Sequence, residues 1–101
     1  MTKKQYLQQY LHQQKKINRL NAMLEQTTEE RPQILLQIKK CEQIRNEIER
    51  KINSVGDPLL KEVLFLKYAC GKNLLEISYI INYSLRHTER LHKIALSKFK
   101  Y

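Results

Sequence analysis

The chain has 101 residues, 29% of them charged, with 19 Lys and Arg against 10 Asp and Glu and a formal net charge of +9. That excess selects an anionic partner, nucleic acid before membrane, and the length allows one compact unit or two small ones, near the size at which a single core is only marginally stable. No apolar run is long enough to span a bilayer and no signal-peptide pattern is present, so the expected location is cytoplasmic, with no membrane partner.

The first helix is expected from Lys3 to about Glu25. Tyr6, Tyr10, Gln13, Ile17, Leu20 and Leu24 alternate steps of four and three, the spacing of a coiled-coil seam, with Gln13 as a polar interruption. A polar linker, Gln26 to Pro32, follows, in which Thr27 and Glu30 have capping-box spacing. The second helix runs to about Asn53 on a stripe of Ile34, Ile38, Cys41, Ile44 or Arg45, Ile48 and Ile52. Residues 1–55 therefore read as an antiparallel, coiled-coil-like helical hairpin. Each seam is narrow, so a hairpin alone buries little, and we expect it to pair further: with the rest of the chain, with a second copy as a homodimer, or with another protein.

Gly56-Asp57-Pro58 marks the main boundary, because glycine closes a helix, aspartate caps the next and proline fits a first turn. The helix from Pro58 to Cys70 is apolar on two faces, Leu59-Val63-Leu66-Cys70 and Leu60-Leu64-Tyr68, as a helix buried among neighbours must be. Gly71 ends it. Cys41 and Cys70 show no paired-cysteine or Cys/His spacing and read as buried free thiols.

Asn73 and Glu76 then form a second capping box, and Leu74, Ile77 and Ile81, widened by Ile80, line one face of a short helix. Asn82 suits a left-handed exit, and Ser84 caps a longer helix that packs through Thr88, Leu91, Ala95 and Phe99, with Ile94 beside them. Its other face carries Leu85, Arg86, Glu89, Arg90 and Lys93, with His87 and His92 at the edges; from Ser84 to Tyr101 five Lys and Arg face one Glu. Residues 56–101 thus read as a three-helix unit with a helix-turn-helix, whose second helix enters the DNA major groove. The fold class is all-α.

Glu76-Ile77-Ser78, Asn82-Tyr83-Ser84, Leu91, Ala95-Leu96 and Phe99 resemble region 4 of bacterial sigma factors. With Asp57-Pro58-Leu59-Leu60 and Val63 to Tyr68 ahead of them, they resemble more narrowly the phage-encoded, sigma-region-4-like late transcription regulators of Gram-positive bacteria, of the autolysin-regulator type. The likeness covers about residues 57–100. Thr88 stands where the family pattern has valine or isoleucine, and Ser78 where it has alanine.

The resemblance implies a phage or prophage regulator of late or packaging genes acting in a bacterial cytoplasm. It also implies that the residues after the serine cap, Leu85, Arg86, His87, Glu89 and Arg90, face double-stranded DNA. Arg86 and Arg90, one turn apart, suit bidentate bonds to guanine O6 and N7. Lys93 and Lys72 suit phosphate, as does the amino end of the helix capped by Asn73. Dimerisation or docking on RNA polymerase then falls to the hairpin. An alternative is a sigma-like adaptor that binds RNA polymerase or a sigma factor with little or no DNA contact. His12, His87 and His92 lack zinc-ligand spacing, and no nucleophile or glycine-rich loop accompanies the carboxylates, so neither a metal, a cofactor nor an enzymatic activity is expected.

Overall fold

Helix boundaries follow from the capping chemistry. The computed structural model describes residues 1–101 and is all-helical: α1 (Lys3–Leu24), α2 (Arg31–Asn53), α3 (Pro58–Leu64), continued by a π-helical turn over Phe65–Ala69, α4 (Leu74–Ile81) and α5 (Leu85–Lys98). Thr2 and Gln5 form a capping box at the start of α1. Asp57 accepts from the N–H groups of Leu59 and Leu60 at the head of α3, with Pro58 in its first turn. The capping box expected at Thr27 and Glu30 does not form; α2 opens at Arg31, and Glu30 makes no side-chain cap bond. A helix begun at Thr28 would hold Pro32 in its interior, where the ring meets the carbonyl four residues back. Arg31 instead turns to α1, its Nη1 donating to the Leu24 carbonyl at 2.9 Å and closing that helix's carboxyl end.

α1 and α2 run antiparallel along most of their length. Near the middle Arg45 Nη1 donates to Gln14 Oε1 at 2.9 Å, and farther on the Lys51 ammonium sits 4.9 Å from the Tyr6 ring centroid. Arg45, not Ile44, is thus the inward residue of the stripe; Ile44 is exposed. The contact between the two helices holds two apolar clusters. The smaller joins Ile17, Leu20, Ile34, Ile38 and Cys41. The larger begins with Leu7, Ile48 and Ile52, all fully buried, and continues through Val63, Leu64 and Ile77 to Ala95 and Phe99. α3 and α5 therefore close over one end of the α1–α2 pair. The other end projects, giving extents of 52 × 25 × 22 Å and a radius of gyration of 16.0 Å, against about 13 Å for a compact chain of this length.

The helix expected from Pro58 to Cys70 is not α-helical throughout. In its last turn the Cys70 N–H bonds to the Phe65 carbonyl and the Lys72 N–H to that of Leu66. The wider turn keeps Leu60, Leu64 and Tyr68 inside, while Leu59 and Leu66 are only half-buried and Cys70 is exposed, contrary to the expected buried thiol. Gly71 follows at φ +72°, a backbone L side chains rarely adopt, and a Cβ there would meet Leu11 Cδ1 at 3.3 Å. Ile80 and Ile94, expected on packing faces, are exposed, and Leu7 supplies the innermost α1 side chain between half-buried Tyr6 and Tyr10.

Leu7→Ala should cost about 2–5 kcal/mol, because a fully enclosed side chain leaves a cavity its neighbours fill incompletely. Leu20→Ala, in the smaller cluster of the projecting end, should fall at or below the bottom of that range. Urea unfolding followed by circular dichroism measures both. A Leu7→Ala loss below that of Leu20→Ala would contradict this account of the core.

Candidate nucleic-acid interface

α4 and α5 are set against each other by four polar residues, Asn73, Glu76, Asn82 and Ser84, and a short apolar seam. At the head of α4, Asn73 Oδ1 accepts the Glu76 N–H at 2.8 Å while Glu76 Oε1 accepts the Asn73 N–H at 3.1 Å. At its end Asn82 is left-handed, φ 65° and ψ 38°, and its N–H and that of Tyr83 both reach the Ser78 carbonyl. Ser84 Oγ then accepts the His87 N–H at 3.1 Å and starts α5. Ile77, Leu91, Ala95 and Phe99 close the inner side as part of the larger core. Thr88 and Ser78 are buried with their hydroxyls satisfied locally. Thr88 Oγ1 donates to the Ser84 carbonyl at 2.8 Å, and Ser78 Oγ to that of Leu75 at 2.6 Å. A hydroxyl bonded within its own helix costs little to bury.

The outer side of α5 presents Leu85, Arg86, Glu89, Arg90 and Lys93, all exposed. The molecule's only ion pairs join Glu47 to Arg50 and Lys51, so the cations of this face keep their charge free of carboxylate partners. His87 is half-buried, its ring 4.8 Å from that of Tyr83, which braces the first turn of the helix. The expected contact residues thus form two groups. Ser84 to Lys93 lie together on α5, whereas Lys72 and Asn73 stand at the far end of α4. The eight residues of α4, rising about 1.5 Å each, separate the groups by about 12 Å.

His92 belongs to neither group. Placed at the edge of the exposed face by its polar character, it is buried, its Nε2 2.8 Å from the Tyr68 hydroxyl across the contact between α5 and the π turn. Thr88, His92, Ala95 and Phe99 step by four, three and four, so the spacing contained its place in the packing stripe. Burial, with the charges of Lys67 and Lys4 nearby, lowers its pKa from 6.5 to about 4. Burial likewise pushes Tyr68 up to about 12. Both groups are neutral across the physiological range, and no buried side-chain nitrogen or oxygen lacks a partner.

Beside this pair a cleft of about 420 Å³ opens between α1, the π turn and the head of α4, lined by Lys4, Gln8 and Leu11, by Lys67 and Tyr68, and by Gly71, Lys72 and Asn73. Lys72 and Asn73 were readable as turn residues. Lys4 and Lys67 carried no local signal, since only folding brings α1 to the π turn. The exposed side of α4 and the turn after it is apolar instead: Leu75, Tyr79 at 76% exposure, Ile80 and Tyr83. No group of three or more His, Cys, Asp or Glu side chains gathers where it could hold a metal ion, and no helix is long and apolar enough to cross a membrane. Compared with protein-family models, curated proteins and solved structures, the chain matches none.

The His92 shift fixes a pH dependence. Between pH 6.5 and about 4 the unfolded chain binds a proton at His92 that the folded chain excludes, so stability must fall as pH falls through that window. In urea titrations at stepped pH, His92→Gln should lose this share of the acid sensitivity while keeping the part due to carboxylates. Equal slopes in the two proteins would show that His92 is not held neutral.

Proposed function

We propose that the protein is a sequence-specific, double-stranded-DNA-binding transcription regulator, in which α4 and α5 act as a sigma-region-4-like helix-turn-helix and α1 and α2 as a helical hairpin that braces it. One observation carries the reading: a serine-capped helix, fixed to a shorter one through a left-handed asparagine, turns Arg86 and Arg90 outward without any carboxylate partner. Unpaired guanidiniums one turn apart near the start of an exposed helix have the geometry for guanine edges in the major groove. Lys93 and Lys72 serve the phosphates, and Ser84, Leu85, His87 and Glu89 complete the surface at the base edges. The resemblance to phage-encoded late regulators supports a phage or prophage role in a bacterial cytoplasm.

The apolar skin of α4 favours a second reading, a sigma-like adaptor. Leu75, Tyr79 and Ile80 form an exposed set beside the cationic face, and such sets mark protein contacts. In that reading RNA polymerase or a sigma factor takes the place of DNA.

Enrichment of random duplex DNA by the purified protein separates the two. A regulator recovers a motif that survives competitor DNA, and each of Arg86→Ala and Arg90→Ala weakens binding to it by about 1–3 kcal/mol. A motif bound equally well by the double variant would remove α5 as the reading helix, and no motif at all would favour the adaptor.

A further inference from the structure

We propose that Lys4, Lys67 and Lys72 form a phosphate clamp, in which the cleft between α1, the π turn and the head of α4 grips the DNA backbone bordering the groove that α5 reads. This rests on the DNA-binding reading above and adds to it a role for the first helix. The clamp brings Lys4 of the first helix to Lys67 and Lys72, which are remote from it in sequence. Its lining contains three lysines and no carboxylate, with Gln8 and Asn73 as its other polar side chains. None of the three ammoniums has an ion-pair partner. Like charges gathered around one concavity repel, and an anion placed among them relieves that repulsion.

The cleft also lies where a groove reader needs it. It stands at the head of α4, one length of that eight-residue helix, about 12 Å, from the helix's far end. In a helix-turn-helix the first helix crosses the backbone beside the groove that the second one reads, so the head of α4, where Lys72 and Asn73 stand, is the part of this unit suited to phosphate. Lys67 is carried there by the π turn, a distortion that recurs at functional sites and that also draws the Lys72 N–H onto the Leu66 carbonyl. Lys4 is positioned by its neighbour. The Lys3 ammonium donates to the Leu96 carbonyl at 2.8 Å and reaches that of Ser97, at the end of α5. α5 thus anchors the first turn of α1, and with it the clamp lysine that acts beside the reading helix. Open, and lined by only two apolar residues, the cleft suits a passing backbone better than an enclosed small molecule.

The test compares the full chain with K4Q/K67Q/K72Q and with a control of equally reduced charge, K15Q/K39Q/K40Q, made at exposed lysines of the projecting arm and its approach, all checked for native circular dichroism. Binding to a random-sequence duplex is measured from 50 to 300 mM salt. The slope of log K against log salt should fall by about 0.9 for each phosphate no longer neutralised, hence by about one or more in the clamp variant and by clearly less in the control. Equal slopes in the two variants would overturn the clamp and leave the DNA-binding reading standing. If the wild-type chain binds no duplex, that reading falls, and titration with pyrophosphate decides the cleft alone. Amide shifts at Gly71, Lys72 and Asn73 that vanish in the clamp variant would retain an anion site, and their absence in the wild type would remove it.

Discussion

Leu7, Ile48 and Ile52 are the side chains on which the arrangement of the whole molecule depends. A pair of antiparallel helices covers only the side of each seam that faces its partner. These three are fully enclosed because α3 and α5 close over the end of the pair with Val63, Leu64 and Phe99. The hydrophobic gain from excluding water at that junction holds the two halves of the sequence in one core. The orientation of α5, and therefore of its outer face, is set by residues far upstream in the chain.

Polar contacts at the same junction refine what burial sets in place. Lys3 bonds to the last carbonyls of α5, the Tyr101 hydroxyl donates to the Met1 carbonyl, and the Tyr6 ring stacks on that of Tyr101 at 4.9 Å. Tyr68 and His92 join the π turn to α5 through one buried neutral hydrogen bond. A single bond of this kind contributes modestly, but leaving either partner unpaired inside the protein would cost more than the bond supplies. The cationic surface is consequently carried on a braced frame, with Arg86 and Arg90 exposed on one side of α5 and the lysine cleft on the same frame at the far end of α4. In the proposed DNA-binding role, the frame holds reading and positioning groups at a fixed separation, which is what sequence-specific contact requires.

Where sequence reasoning failed, the misleading signal was the chemical identity of single residues. Polar identity misled it at His92, whose spacing placed it in the packing stripe but whose imidazole suggested the surface. Apolar identity misled it at Ile80, Ile94 and Cys70, which sit on helix faces that no neighbour covers. The capping box at Thr27 and Glu30 had the correct residue types, yet Pro32 excluded it by blocking a helix begun that early. At His92, Ile80, Ile94 and Cys70 the outcome depended on whether another part of the chain covered the residue, whereas at Thr27 a close neighbour in sequence, Pro32, decided it.

The sequence by itself determined the all-α class, the glycine and asparagine exits at Gly71 and Asn82, the caps at Asp57, Asn73 and Ser84, and the outward cationic face of α5. All of these arise from backbone and side-chain chemistry within a few residues or from helical periodicity. Tertiary structure alone decided which partner covers the α1–α2 seams, that the helix after Pro58 widens into a π turn, that His92 turns inward to Tyr68, and that Lys4 and Lys67 meet Lys72 at one cleft. Those outcomes depend on which apolar faces find one another in space, and burial couples residues without regard to their distance along the chain.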